Sequence, residues 1–130
     1  MVQTVLVVDD EWHIRKLTAI ALEAGGYKVS QAESAIQALE MMAVQQFDLV
    51  LTDWMMPEMN GRELIERIRE KPYGKETPVV VYSGVNPAQG LASAEKMGVK
   101  HWLRKPCRIR KMLELVSTVL GSNPDAIVHQ

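Results

Sequence analysis

Three short stretches of the chain are apolar at every position: Val5-Leu6-Val7-Val8, Leu49-Val50-Leu51 and Val79-Val80-Val81-Tyr82. Each is rich in β-branched residues and bounded by polar ones. A strand with one wet face alternates apolar and polar residues, whereas a strand covered on both faces need not. These runs therefore predict the central strands of a parallel sheet with helices on either side. Two weaker strands are predicted around Val29 and from His101 to Leu103. Between the strands, apolar residues recur at helical spacing. Ile14, Leu17, Ala21 and Leu22 fall on one face, as do Ala35, Ala38, Leu39 and Met42, then Leu64, Ile65 and Ile68. The clearest stripe is the last: Ile109, Met112, Leu113, Val116 and Leu120.

Glycines at Gly25, Gly74, Gly98 and Gly121 follow these patterns, where a helix end favours a residue tolerant of positive φ. The segment from Asn86 to Met97 is the weakest helix: Pro87 suits a helix start, but Gly90 falls inside the pattern. Strand and helix alternating five times predict an α/β fold, one five-stranded parallel sheet with helices on both faces, joined by right-handed crossovers. A single domain is expected over residues 1–122. Asn123-Pro124 ends the last helix, and residues 123–130 are read as a C-terminal tail.

Composition narrows the classes. With 130 residues, 47% hydrophobic and 24% charged, the chain has the balance of one soluble globular domain. No apolar run is long enough to span a bilayer, and the N-terminus lacks the features of a signal peptide, so a cytoplasmic protein is expected. The single Cys107 cannot form an internal disulfide. A net charge of −1 offers no general attraction to nucleic acid or membrane, although the charge is uneven. Residues 1–60 hold nine acids and three bases, residues 61–130 seven acids and twelve bases. No zinc spacing or nucleic-acid module is visible.

Open α/β sheets bind ligands beyond the carboxyl ends of their strands. Asp9 and Asp10 follow the first predicted strand, Asp53 the third, Ser83 and Gly84 the fourth, and Lys105 and Pro106 the fifth. Acids after the first strand would repel a pyrophosphate, which argues against a dinucleotide or P-loop site. Crowded carboxylates instead suit a divalent cation, and oxygen-only ligands favour Mg²⁺. Such a metal can neutralise charge during phosphoryl transfer. Each residue also has a plainer reading. Asp9 or Asp10 could cap the first helix, Asp53 could sit in a turn, Ser83 could be another cap, and Lys105 could be a surface lysine before a helix-starting proline. Their joint placement at four strand ends is harder to explain that way.

The segments VLVVDDE, LVLTDWMMPEMNG, VVVYSG and WLRKP, at these separations, resemble the receiver domains of two-component response regulators, over essentially the whole chain. The resemblance implies a CheY-like, flavodoxin-like (βα)5 fold. It also implies a phosphoacceptor switch in a phosphorelay, rather than an enzyme turning over external substrates. Asp53 would accept a phosphoryl group from a sensor histidine kinase or histidine phosphotransfer protein, becoming 4-aspartylphosphate. Asp9, Asp10, Asp53 and the backbone carbonyl of Met55 would hold Mg²⁺. Ser83 and Lys105 would bind phosphoryl oxygens, Gly84 would leave the phosphate open, and the bond before Pro106 would be cis. Ser83 and Trp102 would form the switch, the aromatic packing into space the hydroxyl vacates.

The sequence departs from the family's common pattern at Ser83 (more often Thr), Trp102 (more often Tyr or Phe) and Cys107 (often Phe). Trp54, directly after Asp53, is a candidate shield or partner contact. The resemblance places an output face on the fourth helix, fifth strand and fifth helix, where Lys100, Arg104, Arg108, Arg110 and Lys111 suggest an acidic protein partner. A monomer or weak dimer is expected. The alternative is a pseudo-receiver that binds partners constitutively, without phosphorylation. A metal-dependent phosphatase with an aspartyl nucleophile is disfavoured, because its second Asp would stand two residues after the nucleophile on the first strand.

Overall fold

The computed structural model describes residues 2–121. Along the chain run β1 (Thr4–Val8), α1 (Trp12–Ala24), β2 (Lys28–Ala32), α2 (Ala35–Val44), β3 (Leu49–Thr52) and α3 (Gly61–Glu70). They are followed by β4 (Val79–Ser83), a single 3₁₀ turn (Pro87–Gln89), α4 (Leu91–Glu95), β5 (His101–Arg104) and α5 (Ile109–Leu120). All strands pair in parallel, in the order β2-β1-β3-β4-β5. That is the flavodoxin-like order expected. The expected tail at 123–130 lies outside the described residues.

The unbroken apolar strands are explained by what covers them. Leu6, Val8, Val50, Val79 and Val81 face one core, closed by Ala38 and Met42 of α2, by Leu64, Ile65 and Ile68 of α3, and by Ala94 of α4. Val5, Val7, Leu49, Leu51 and Val80 face the other, closed by Leu22 of α1 and by Met112 and Val116 of α5. Successive strand residues point to opposite faces, so both sets must be apolar.

Several expectations are corrected. In α1 the buried positions are Thr18, Ala19, Ala21 and Leu22, whereas Leu17 and Ile20 are exposed. The inward face thus runs through Thr18, Ala19, Ala21 and Leu22 and leaves Leu17 outside it. Ile109, placed in the α5 stripe, is also exposed. After α1 the positive φ belongs to Gly26 (97°) and not Gly25 (−82°), while Gly98 and Gly121 adopt it as expected. Helix α3 ends at Glu70, before Lys71, so Gly74 does not terminate it. The fourth helix is shorter than predicted: the chain from Pro87 forms one 3₁₀ turn and resumes after Gly90 as five residues.

At the amino-terminal ends of β4 and β5 a guanidinium closes the structure. Arg69 donates to the carbonyls of Met97 (2.8 Å), Gly74 (2.9 Å) and Thr77 (2.7 Å), fastening the end of α3 to two loops.

Candidate functional site

The opposite, carboxyl edge of the sheet gathers the predicted chemistry. The register pairs Val8 with Thr52, so the residues that follow, Asp9 and Asp53, leave adjacent strands at the same level. The Asp53 amide still donates to the Val8 carbonyl, at 3.1 Å. Asp9 and Asp53 are buried and Asp10 is exposed. One carboxylate oxygen from each lies within 4.8 Å of the others.

Lys105 enters from the end of β5. Its Nζ lies 2.6 Å from Asp9 Oδ2 and 2.9 Å from Asp53 Oδ2. It also lies 5.5 Å from the centre of the Tyr82 ring. Burial alone would lower the Lys105 pKa, but hydrogen bonds to Asp53 and Asp9, and their charges, raise it above its ordinary value. Asp9 is shifted up chiefly by burial, with the Asp53 charge adding to it; the bonds from Lys105 and the Glu11 N–H oppose this and do not cancel it. The Lys105–Pro106 peptide is cis.

The other oxygen of Asp53 is fixed by its own loop. Oδ1 accepts from the backbone N–H of Trp54 at 2.6 Å and of Met55 at 3.2 Å. Gly61 starts α3 directly behind this loop: its N–H donates to the Trp54 carbonyl at 2.9 Å, and a Cβ there would overlap the Asp53 carbonyl oxygen. Asn60 closes the first turn of α3 with a capping box to Glu63.

Neither Asp9 nor Asp10 caps α1 through its side chain, whose N-cap is Glu11; Asp9 Oδ1 instead accepts the Glu11 N–H at 3.0 Å. Arg15, one turn into α1, donates to the Asp9 carbonyl at 2.8 Å. Ser83 is buried, and its Oγ accepts the Val85 N–H at 3.2 Å. Gly84 has open space where a side chain would stand. Trp102 is half-buried, its indole N–H bonded to the Val85 carbonyl at 3.2 Å. Its ring rests against the buried Trp54, with ring centres 5.1 Å apart. Cys107 is half-buried, and burial pushes its thiol pKa up, which makes it a poor nucleophile.

Two participants carry no signal in the sequence. Arg15 reaches Asp9 across six positions that match no motif, and Tyr82 meets Lys105 because it pairs with Leu103 of β5, two residues before the lysine.

Chemically, the cluster holds three carboxylates and one ammonium. Two negative charges remain uncompensated on hard oxygen donors, the deficit that a divalent cation of the Mg²⁺ type would fill. The donor set therefore fits such an ion.

Comparison with known proteins agrees with this geometry. A family model described as the response regulator receiver domain matches residues 5–117. Chemotaxis protein CheY1 of Helicobacter pylori is 33% identical over 120 residues, covering 91% of this chain and 97% of that protein. The phosphate regulon transcriptional regulatory protein PhoB of Pseudomonas aeruginosa is 30% identical over 118 residues; the match covers 91% of this chain but only 52% of PhoB, about half its length. The solved structure of the Vibrio cholerae chemotaxis protein CheY4 superposes with a TM-score of 0.87 at 28% identity, covering 92% of this chain and 99% of that one.

Proposed function

The chain belongs to the response regulator receiver domain family, the signalling switches of two-component systems, and from that premise we propose that it accepts a phosphoryl group on Asp53 from a phosphohistidine. An Asp53 carboxylate oxygen attacks phosphorus, the new O–P bond forms as the N–P bond breaks, and the electron pair returns to the imidazole, which takes up a proton. The product is an acyl phosphate, 4-aspartylphosphate.

The observation that carries the reading is one ammonium shared by carboxylates from two strand ends, with a third carboxylate beside them. Charge-assisted contacts of this kind act on charge that develops during transfer. The Trp54 and Met55 amides orient Asp53, limiting its rotation before attack. Lys105, bound to two carboxylates, exchanges the Asp53 contact for a phosphoryl oxygen once the carboxylate is esterified. Ser83 supplies a second contact from β4 by releasing the Val85 amide, and open space at Gly84 leaves room for the phosphoryl group. Asp9, Asp10, Asp53 and the Met55 carbonyl would hold Mg²⁺, which, when bound, supplies compensation for the carboxylate and phosphoryl charges.

The donor is a sensor histidine kinase or phosphotransfer protein, and the site of action is the cytoplasm. The response passes to a protein partner at α4, β5 and α5, where Lys100, Arg104, Arg108, Arg110 and Lys111 are all exposed. Of these, Arg110 already pairs with Glu114 at 3.1 Å.

The test is intact mass after incubation with Mg²⁺ and a small phosphodonor, beside Asp53→Asn. One added phosphoryl group in the unsubstituted chain alone is expected. No addition in either would favour a constitutive interaction module.

A further inference from the structure

Two physically separate routes reach Trp102 from the carboxyl edge of the sheet, one beginning at Ser83 and the other at Asp53. The first is made of hydrogen bonds: Ser83 Oγ accepts from the Val85 amide, and the Val85 carbonyl accepts from the Trp102 indole, each at 3.2 Å. It runs through Ser83, which already has a role in the switch. The second starts at Asp53 itself. The Trp54 N–H donates to Asp53 Oδ1 at 2.6 Å, closer than the Met55 N–H at 3.2 Å. The Trp54 ring packs on the Trp102 ring with their planes tilted by 49°.

Gly90 shows that this packing is fitted. A Cβ at that position would lie 2.7 Å from Trp102 Cη2 and 2.9 Å from Trp54 Cε2. The two indoles take up the space a side chain would need there, so their packing calls for glycine. The same residue separates the 3₁₀ turn from α4, which accounts for the shortness of that helix.

We propose that Trp54 is a positioning residue. Its ring, held between Trp102 and Gly90, fixes the direction of its own backbone N–H against Asp53, and so couples β5 to the phosphoacceptor independently of Ser83. The functional consequence rests on the phosphoacceptor reading above; the geometric coupling does not. A pair of rings that only fills core volume would affect stability, and would leave the Trp54 amide where it is.

The experiment uses the full chain, unsubstituted and as Gly90→Ala, Trp102→Phe and the double variant. Three quantities are measured: the Trp54 amide proton resonance without metal, the urea midpoint, and the rate of phosphorylation from a small phosphodonor with Mg²⁺. Gly90→Ala removes the space for both rings. It is expected to move the Trp54 amide resonance and slow phosphorylation by about three- to tenfold, the size of coupling usual between residues in contact. In the double variant the alanine gains room where the larger indole was, so part of that loss is recovered. Trp102→Phe keeps an aromatic core and moves the Trp54 amide by itself, which keeps the test open should Gly90→Ala fail to fold. Adding Ser83→Ala is expected to leave the effect of Gly90→Ala on the amide intact.

An unmoved Trp54 amide in folded Gly90→Ala and Trp102→Phe overturns the proposal. So does loss of the effect in the Ser83→Ala background. A moved amide in a chain that takes up no phosphoryl group upholds the positioning role and overturns the phosphoacceptor reading instead.

Discussion

Two cations sit at opposite ends of the same sheet, half-buried and bound by short hydrogen bonds, and they are held in opposite ways. Arg69, at the amino-terminal ends of β4 and β5, is surrounded by three backbone carbonyls. Lys105, at the carboxyl ends, is bound by two carboxylates. Burial lowers the Arg69 pKa, and among the described residues no carboxylate pairs with it to offset this. Burial pulls Lys105 in the same direction, and Asp53 and Asp9 reverse it. Neutral carbonyls fixed by the backbone offer the guanidinium no alternative ligand, so Arg69 acts as a staple. Lys105 lies in a site with more negative charge than it can neutralise, which leaves its partners open to a second cation or an added phosphate. The chemistry of the ligand, more than that of the cation, separates a structural contact from an exchangeable one.

Substituting the two cations should break that contrast most visibly. Lys105→Met is expected to reduce phosphorylation by about a hundredfold or more, in line with removing a group that stabilises developing charge. Arg69→Met leaves three carbonyls without their donor and is expected to destabilise the fold by about 3 kcal/mol, read from urea unfolding. The rate of phosphorylation at Asp53 should then stay within about twofold of the original, since the two sites share no partners. Equal losses of rate in both variants would remove the distinction.

A titration sharpens it. The raised pKa of Asp9 means that the folded chain binds its proton more tightly than the unfolded chain does. Between the ordinary carboxylate value of 3.8 and the higher folded value, the native state therefore carries more protons, and stability falls as pH rises through that window. Asp9→Asn should flatten this fall in urea midpoints taken without metal. Arg69 stays charged across the same range and should contribute no slope there.

The smallest effect separates capping from chemistry. Asn60→Ala removes the capping box of α3 and should cost about 1 kcal/mol in thermal or urea unfolding. Phosphorylation should change little, because Gly61 still braces the Asp53 loop.

How much of this was legible depended on whether the signal was local. The three all-apolar runs mark β1, β3 and β4 because burial on both faces removes alternation. Leu64, Ile65 and Ile68 mark α3 because that helix is otherwise highly charged. The site was legible for a related reason: strand ends in a parallel sheet converge, so residues far apart in the chain could be placed together. What failed was non-local. Nothing near Leu17 or Ile20 shows that α1 turns its small residues inward. The contact of Trp54 with Trp102, and the space Gly90 leaves them, arise between segments brought together only by folding. Gly90 could be read from sequence only as a weakness in a helix.

The most direct test of the central claim, that Asp53 is the residue that receives phosphate, is reductive trapping followed by peptide sequencing. Borohydride converts an acyl phosphate to an alcohol and leaves free carboxylates alone, so a phosphorylated aspartate is recovered as homoserine. After exposure to Mg²⁺ and a phosphodonor, homoserine is expected at position 53 and nowhere else. Homoserine at position 9 or 10, or at no position, would contradict the account.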